Sequence, residues 1–242
     1  MSLISDARIL GSLLKGQPNG SSHAERLNGF YGPQAERYDH FRERLLHGRK
    51  ELLIALSDQL PESGASIIEM GGGTGRNLAF FGNQLDSFAQ VEIIDLCTPL
   101  LNQAKKRWQN HTNIRFTEAD AITFQPSKPV DAVYFSYSLT MIPDWFAAID
   151  NAISMLKPNG LLAVVDFYVS RKHPAEQHKK HGGFTRHFWP TWFAHDGVRP
   201  NQDHLPYLES KLQTVSLHES MANVPYLPGL RVPYYRYIGR KT

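Results

Sequence analysis

Five short strand-like runs, at residues 66–70 (SIIEM), 90–95 (QVEIID), 113–117 (NIRFT), 130–136 (VDAVYFS) and 161–167 (LLAVVDF), alternate with helical stretches at 75–84, 98–109 and 144–156. Strand and helix alternating at this spacing predict an α/β domain, a mostly parallel sheet with helices on both faces. Two further runs, QTVSLHE (213–219) and VPYYRYIGR (232–240), supply last strands and bring the expected number to seven. Pro233 is expected at the start or edge of its strand, because it has no N–H for the ladder. Ahead of the first strand, leucine spacing predicts helices over 33–46 and 48–60, and a short amphipathic helix is expected over 3–14, before the loop 16–22. The chain thus divides into an N-terminal helical cap, 1–60, and a main domain, 61–242.

With 242 residues, 41% of them hydrophobic and 11% aromatic, the chain has material for a full core and is not disordered. No apolar run approaches the roughly 20 residues of a membrane span. The N-terminus lacks a basic start followed by an apolar stretch, so no secretory signal is expected. A single cysteine, Cys97, excludes a disulfide scaffold and a cysteine-based zinc site and fits a reducing cytoplasm. The net charge of +3 is mild but unevenly spread.

The first strand runs into IIEMGGGTGRNL, with four glycines in five residues. A triphosphate-binding loop ends in Gly-Lys-Ser/Thr, whereas Gly75 is followed by Arg76 and Asn77. A G-x-G-x-x-G dinucleotide frame fails from Gly71, where Arg76 takes the last place, and from Gly72, where Thr74 takes the second. What remains is Glu69-x-Gly71-x-Gly73-x-Gly75, which resembles the first motif of class I S-adenosylmethionine-dependent methyltransferases. A Cβ at Gly71 or Gly73 is expected to block the close approach of the cofactor. Asp95, with Leu96 beside it, ends the second strand 20 positions beyond Gly75, where an acid accepts hydrogen bonds from ribose hydroxyls. The resemblance further implies that Asp120, with Ala121, meets the adenine amino group, and that the fold is the Rossmann-like one of that class. Ligands bind outside the carboxyl ends of such strands, which places Ser136, Tyr137 and Ser138 at the site. Tyr137 equally fits a core position with a satisfied hydroxyl.

Three more segments, FYGPQAERYDHFRERLLHGRKELL (30–53), SYSLTMIPDW (136–145) and VPYLPGLRVPYYRYIG (224–239), resemble the N-methyltransferase of betaine-lipid synthesis. That resemblance implies three methyl transfers to the amine of diacylglyceryl-homoserine, giving diacylglyceryl-trimethylhomoserine. It also implies a separate partner supplying the aminocarboxypropyl group, since that transferase is fused in some relatives and absent here. The departure lies at 171–205, with FAHDGV where a more acidic stretch is expected. On this reading Tyr31, Tyr38 and Tyr137 are catalytic candidates, and Arg42 or Arg49 pairs with a carboxylate of cofactor or substrate. Glu36, Asp39 and Glu43 nearby leave ordinary surface ion pairs open for both arginines.

The segment 168–212 is long for a connection between strands and reads as a lid, hinged at Gly182 and Gly183. It carries six of the eleven histidines. Without Cys or a His-Glu-x-x-His frame they give no metal site, and none is expected. His187, Trp189 and Trp192 are candidates for the acceptor, the indoles through cation–π attraction to an amine becoming quaternary. Burial of these aromatics against the sheet is the plainer alternative. Arg171, Lys172, Lys179, Lys180 and Arg186 face only Glu176 between 171 and 186, which fits an anionic membrane surface or a solvated loop. No nucleic-acid motif accompanies them. A methyltransferase for a soluble small molecule and a cofactor-binding protein without activity remain the competing readings.

Overall fold

Alternate residues of each central strand enter opposite layers, as period-two side chains must in a sheet covered on both faces. Ile67, Val91, Ile93, Ala163 and Val165 join one buried cluster, and Ile68, Ile94, Leu162 and Val164 join the other. The computed structural model describes residues 22–31, 43–194, 196–225, 227 and 229–242. The expected helix over 3–14, and most of that over 33–46, lie outside them.

Strands β1 (Ser66–Met70), β2 (Gln90–Asp95), β3 (Ile114–Glu118), β4 (Val130–Ser136), β5 (Leu156–Phe167), β6 (Gln213–Asn223) and β7 (Arg231–Arg240) form one sheet in the order β3-β2-β1-β4-β5-β7-β6. β7 pairs antiparallel with both β5 and β6, while the pairs among β1 to β5 are parallel. Pro233 is the third residue of β7, so its missing donor falls near the strand's start. β5 begins earlier than expected. Leu156 already pairs with Val130, and the Lys-Pro-Asn-Gly turn is absorbed as a register shift, with Asn159 in the left-handed region at φ 63°.

Among the described residues the helices are α1 (His23–Tyr31), α2 (Arg49–Ser57), α3 (Thr98–Arg107), α4 (Trp145–Met155), α5 (Gly183–Ala194) and α6 (His204–Lys211), with a 3-10 segment Arg76–Ser87 kinked at Gly82. α1 was not expected. Its start is written in Ser-x-x-Glu: the Ser22 hydroxyl accepts from Glu25 N at 3.1 Å, half of a capping box. In α2, Leu52, Leu53 and Leu56 are at most 1% exposed, and each contributes about 1.5–3 kcal/mol by burial. No helix among the described residues is long and apolar enough to cross a membrane.

The segment 168–212 holds α5 and α6 and is built into the core. Leu205 and Leu208 of α6 are buried, and Trp189 of α5 donates its indole N–H to Arg231 O at 3.1 Å. The histidines of this segment are dispersed. His178 lies between Glu209 (2.8 Å) and Glu219 (3.5 Å), His181 accepts from Ser170 N, and His204 packs edge-on to Trp145 with 1% exposure. Burial pushes His204 down to about 3, so it is neutral. Among the described residues no group of three or more His, Cys, Asp or Glu is placed to hold a metal ion.

Candidate functional site

The strand order reverses between β1 and β4, and the loops leaving these two strands touch. Ser138 donates to Met70 O at 2.6 Å. Gly71 has φ 69°, and a Cβ there would stand 2.4 Å from Ser138 Cβ. The glycine is therefore demanded twice, by its backbone and by the loop across from it. Gly73, at φ 55°, meets only ordinary contacts, and its open side faces Asp95. A Cβ at Gly71 would thus already clash with protein.

Asp95 ties two turns together. One carboxylate oxygen accepts from Gly73 N and the other from Cys97 N, each at 2.7 Å. Burial pushes this carboxyl up to about 6, against the pull of those backbone donors. Behind the loop, Glu69 is 0% exposed and accepts from the Asn77 amide at 2.6 Å. Asn77 in turn accepts from Arg49 at 3.1 Å. Burial pushes the Glu69 carboxyl up to about 7. Across the sheet, Asp166 is buried and accepts from the backbone N–H and hydroxyl of Thr140, which pins the turn after β4.

Two cavities lie along this edge. One, of about 210 Å³, is lined by Asp95, Leu96, Asp120, Ala121 and Tyr31 among others. A smaller one, of about 40 Å³, is lined by Arg49, Arg76, Gly73, Thr74 and Ser136 among others. Gly71 and Tyr137 line both, so the two form one groove across the switch point. The Ser136 hydroxyl is buried with no hydrogen-bond partner. A buried orphan of this kind is an unmet polar demand at the small end. Asp144 also lines the larger cavity and leaves a buried Oδ1 without a partner.

This groove fits S-adenosylmethionine. Asp95, expected at the ribose, and Asp120 with Ala121, expected at the base, line the larger cavity, and Ser136 lines the smaller one with Arg49. Arg49 is 7% exposed and held by Leu46 O and Asn77.

Several expectations need correction. Glu69 and Gly75 line neither cavity. Glu69 supports the loop from beneath. Gly75, at φ 64°, caps the 3-10 segment and gives its carbonyl to the Trp108 indole at 2.8 Å. Tyr137 is 7% exposed, and its hydroxyl donates to His47 O at 2.7 Å. Burial raises that phenol well above its ordinary value, so Tyr137 is a wall and a clamp rather than a proton acceptor. Its φ of 55°, rare outside glycine, turns the chain at the end of β4.

Of the two candidate indoles, Trp189 is 2% exposed and Trp192 39%, and neither lines these cavities. Trp189 is core, as the plainer reading had it. His187 is exposed and bonds back to Gly183 O at 2.7 Å, lining neither cavity. Tyr38 and Arg42 lie outside the described residues. Tyr31 does line the larger cavity, its hydroxyl 3.7 Å from Met141 Sδ. Sequence reasoning missed Leu27, Met141 and Asp144. The capping box at Ser22 was the signal for Leu27, and the acid after Ile-Pro was the signal for Asp144.

Comparison with known proteins agrees with this geometry. A family model for a methyltransferase domain matches residues 38–215. The chain is 33% identical over 111 residues to trans-aconitate 2-methyltransferase of Enterobacter sp. (strain 638), covering 46% of this chain and 40% of that protein. It is 27% identical over 153 residues to the ubiquinone/menaquinone biosynthesis C-methyltransferase UbiE of Pseudomonas putida, covering 61% of this chain and 60% of that protein. The matches therefore span about half the length of these curated relatives. The structure of the N-methyltransferase NodS from Bradyrhizobium japonicum WM9, in complex with S-adenosyl-L-homocysteine, superposes with a TM-score of 0.60 at 16% identity, over 80% of this chain and 85% of that one. That likeness concerns the fold. With its sheet order, its glycine turn and the family match over most of its length, the chain belongs to the methyltransferase-domain family.

Proposed function

We propose that the chain is an N-methyltransferase that methylates the amine of diacylglyceryl-homoserine to the trimethylated betaine lipid, working at a membrane surface with a separate aminocarboxypropyl transferase upstream. The observation that carries this reading is the Tyr137 ring at the junction of the two cavities, backed by buried aromatic core. Tyr137 lines both and meets Phe167 edge-on at 4.6 Å, and Phe167 stacks on Phe193 of α5 at 5.0 Å. A nitrogen that gains fixed positive charge suits a desolvated aromatic surface, at about 2 kcal/mol. Of the two segments most particular to the betaine-lipid resemblance, one leaves the carboxyl end of β4 and the other enters β7 beside the carboxyl end of β5. Residues 136–145 form the turn after β4, and Arg231, at the start of β7, accepts from Trp189 of α5.

When bound, S-adenosylmethionine supplies a methyl group already activated on a sulfonium. The protein's work is then orientation and exclusion of water. Asp95 accepts from the ribose, Arg49 pairs with a carboxylate, and Tyr137 closes the groove while tied to His47. The acceptor nitrogen gives up its proton to water before each attack.

Incubation with methyl-labelled cofactor and synthetic diacylglyceryl-homoserine in mixed micelles tests this. The expected product carries three added methyl groups by mass. Label that instead enters only water-soluble small molecules from a cell extract would replace this reading with that of a methyltransferase for soluble acceptors.

Cofactor affinity is expected to depend on pH through Asp95. Ribose hydroxyls favour the ionised carboxylate, so the raised value of about 6 makes binding tighten as pH rises past it. By linkage, affinity at pH 5 is about tenfold weaker than at pH 7. Titration calorimetry at both pH values checks this, and Asp95→Asn should flatten the dependence.

A further inference from the structure

Helix α5 has two aromatic faces. The inner one, Trp189 and Phe193, is buried and joins the ladder through Phe167 to Tyr137. The outer one is a ridge. Phe184 is 67% exposed and Trp192 39%, with Phe188 stacked between them at 4.9 and 5.7 Å. Positions 184, 188 and 192 fall one turn apart, so the three rings line one side. Exposed apolar area gathered in this way marks an interaction surface. The chain around it is basic. From Gln177 to His195 there is no acidic residue, and exposed Lys179 and Lys180 stand just before the helix.

Resting on the lipid-acceptor reading above, we infer that this ridge is the membrane-docking element: Phe184, Phe188 and Trp192 enter the interfacial zone of an anionic bilayer, and Lys179 and Lys180 meet its headgroups. Aromatic rings with neighbouring cations are the composition that binds such an interface. The ridge also joins the ladder directly, because Phe188 meets Trp189 at 5.0 Å.

The test uses the full chain without cofactor or acceptor, mixed with phosphatidylcholine vesicles with and without phosphatidylglycerol. The protein should sediment with the anionic vesicles and be released by salt. Phe184→Ser with Trp192→Ser should weaken this by about tenfold or more. Lys179→Gln with Lys180→Gln should weaken it by about thirtyfold, on anionic vesicles only. Unchanged thermal unfolding and cofactor binding would show that both variants are folded. Variants that bind vesicles as the parent does would overturn the inference. So would a parent that ignores vesicles and forms a dimer lost with the same aromatic substitutions, since the ridge would then be an interface between copies. The two readings fail separately. Vesicle binding without lipid methylation sinks the acceptor, and methylation in micelles without vesicle binding sinks the docking element.

Discussion

Gly71→Ala is expected to weaken cofactor binding by about hundredfold, the scale of a roughly 1 Å misplacement at a reacting site. The new Cβ would lie 2.4 Å from Ser138 Cβ, and neither side yields easily. Ser138 is 7% exposed and held to Met70 O at 2.6 Å. A side chain at φ 69° adds about 1–2 kcal/mol of backbone cost. The loop must move, and Gly71 lines both cavities, so both ends of the groove are disturbed. Gly73→Ala is the control. Its φ is also positive, at 55°, but its Cβ meets nothing closer than Leu100 Cδ1 at 3.6 Å. Calorimetry should rank the two variants clearly, and Ser138→Gly should restore part of the Gly71→Ala loss. Equal losses in both glycine variants would mean that the left-handed backbone matters and the Ser138 contact does not.

Asp95→Ala is expected to remove two things at once. The first is an acceptor for the ribose, where a hydrogen bond to a charged group is worth about 1.5–3 kcal/mol, or roughly ten- to more than hundredfold in affinity. The second is the clamp on the backbone, because Gly73 N and Cys97 N both donate to this carboxylate at 2.7 Å. Orphaning such donors costs about 1–3 kcal/mol each where they stay buried. The variant should therefore melt earlier as well as bind poorly. Asp95→Asn keeps one carbonyl oxygen and should fall between the two. Wild-type affinity in a folded Asp95→Ala protein would take Asp95 out of the site.

Much of this fold is legible in the chain because its strands are short, apolar and punctuated. β1, β2 and β4 have the bounds that their apolar runs suggest. The groove residues at strand ends, Asp95, Asp120 and Ser136, are legible for the same reason. Legibility fails where spacing leaves the direction of a face undecided. Trp189 and Trp192 sit three apart, yet the sheet buries one and leaves the other in water. Glu69 and Gly75 belong to the glycine motif by sequence, but only packing shows that they hold the loop from behind. Tyr137 reads as a reactive hydroxyl until its hydrogen bond to His47 O, 90 positions away in the chain, is seen. α1 was hidden because residues 16–22 look like a loop and the cap at Ser22 falls at that loop's last residue.

The place of β7 has a consequence for biosynthesis. β7 leaves the ribosome after β6 yet lies between β6 and β5. Until it arrives, β5 offers the nascent chain an open edge from Leu161 to Phe167, almost wholly apolar, and β6 has no ladder to join. Such an edge is a template for pairing with the wrong strand. The protein's most vulnerable interval is then the brief one before residues 231–240 emerge, and a stalled or shortened product would carry that edge uncovered.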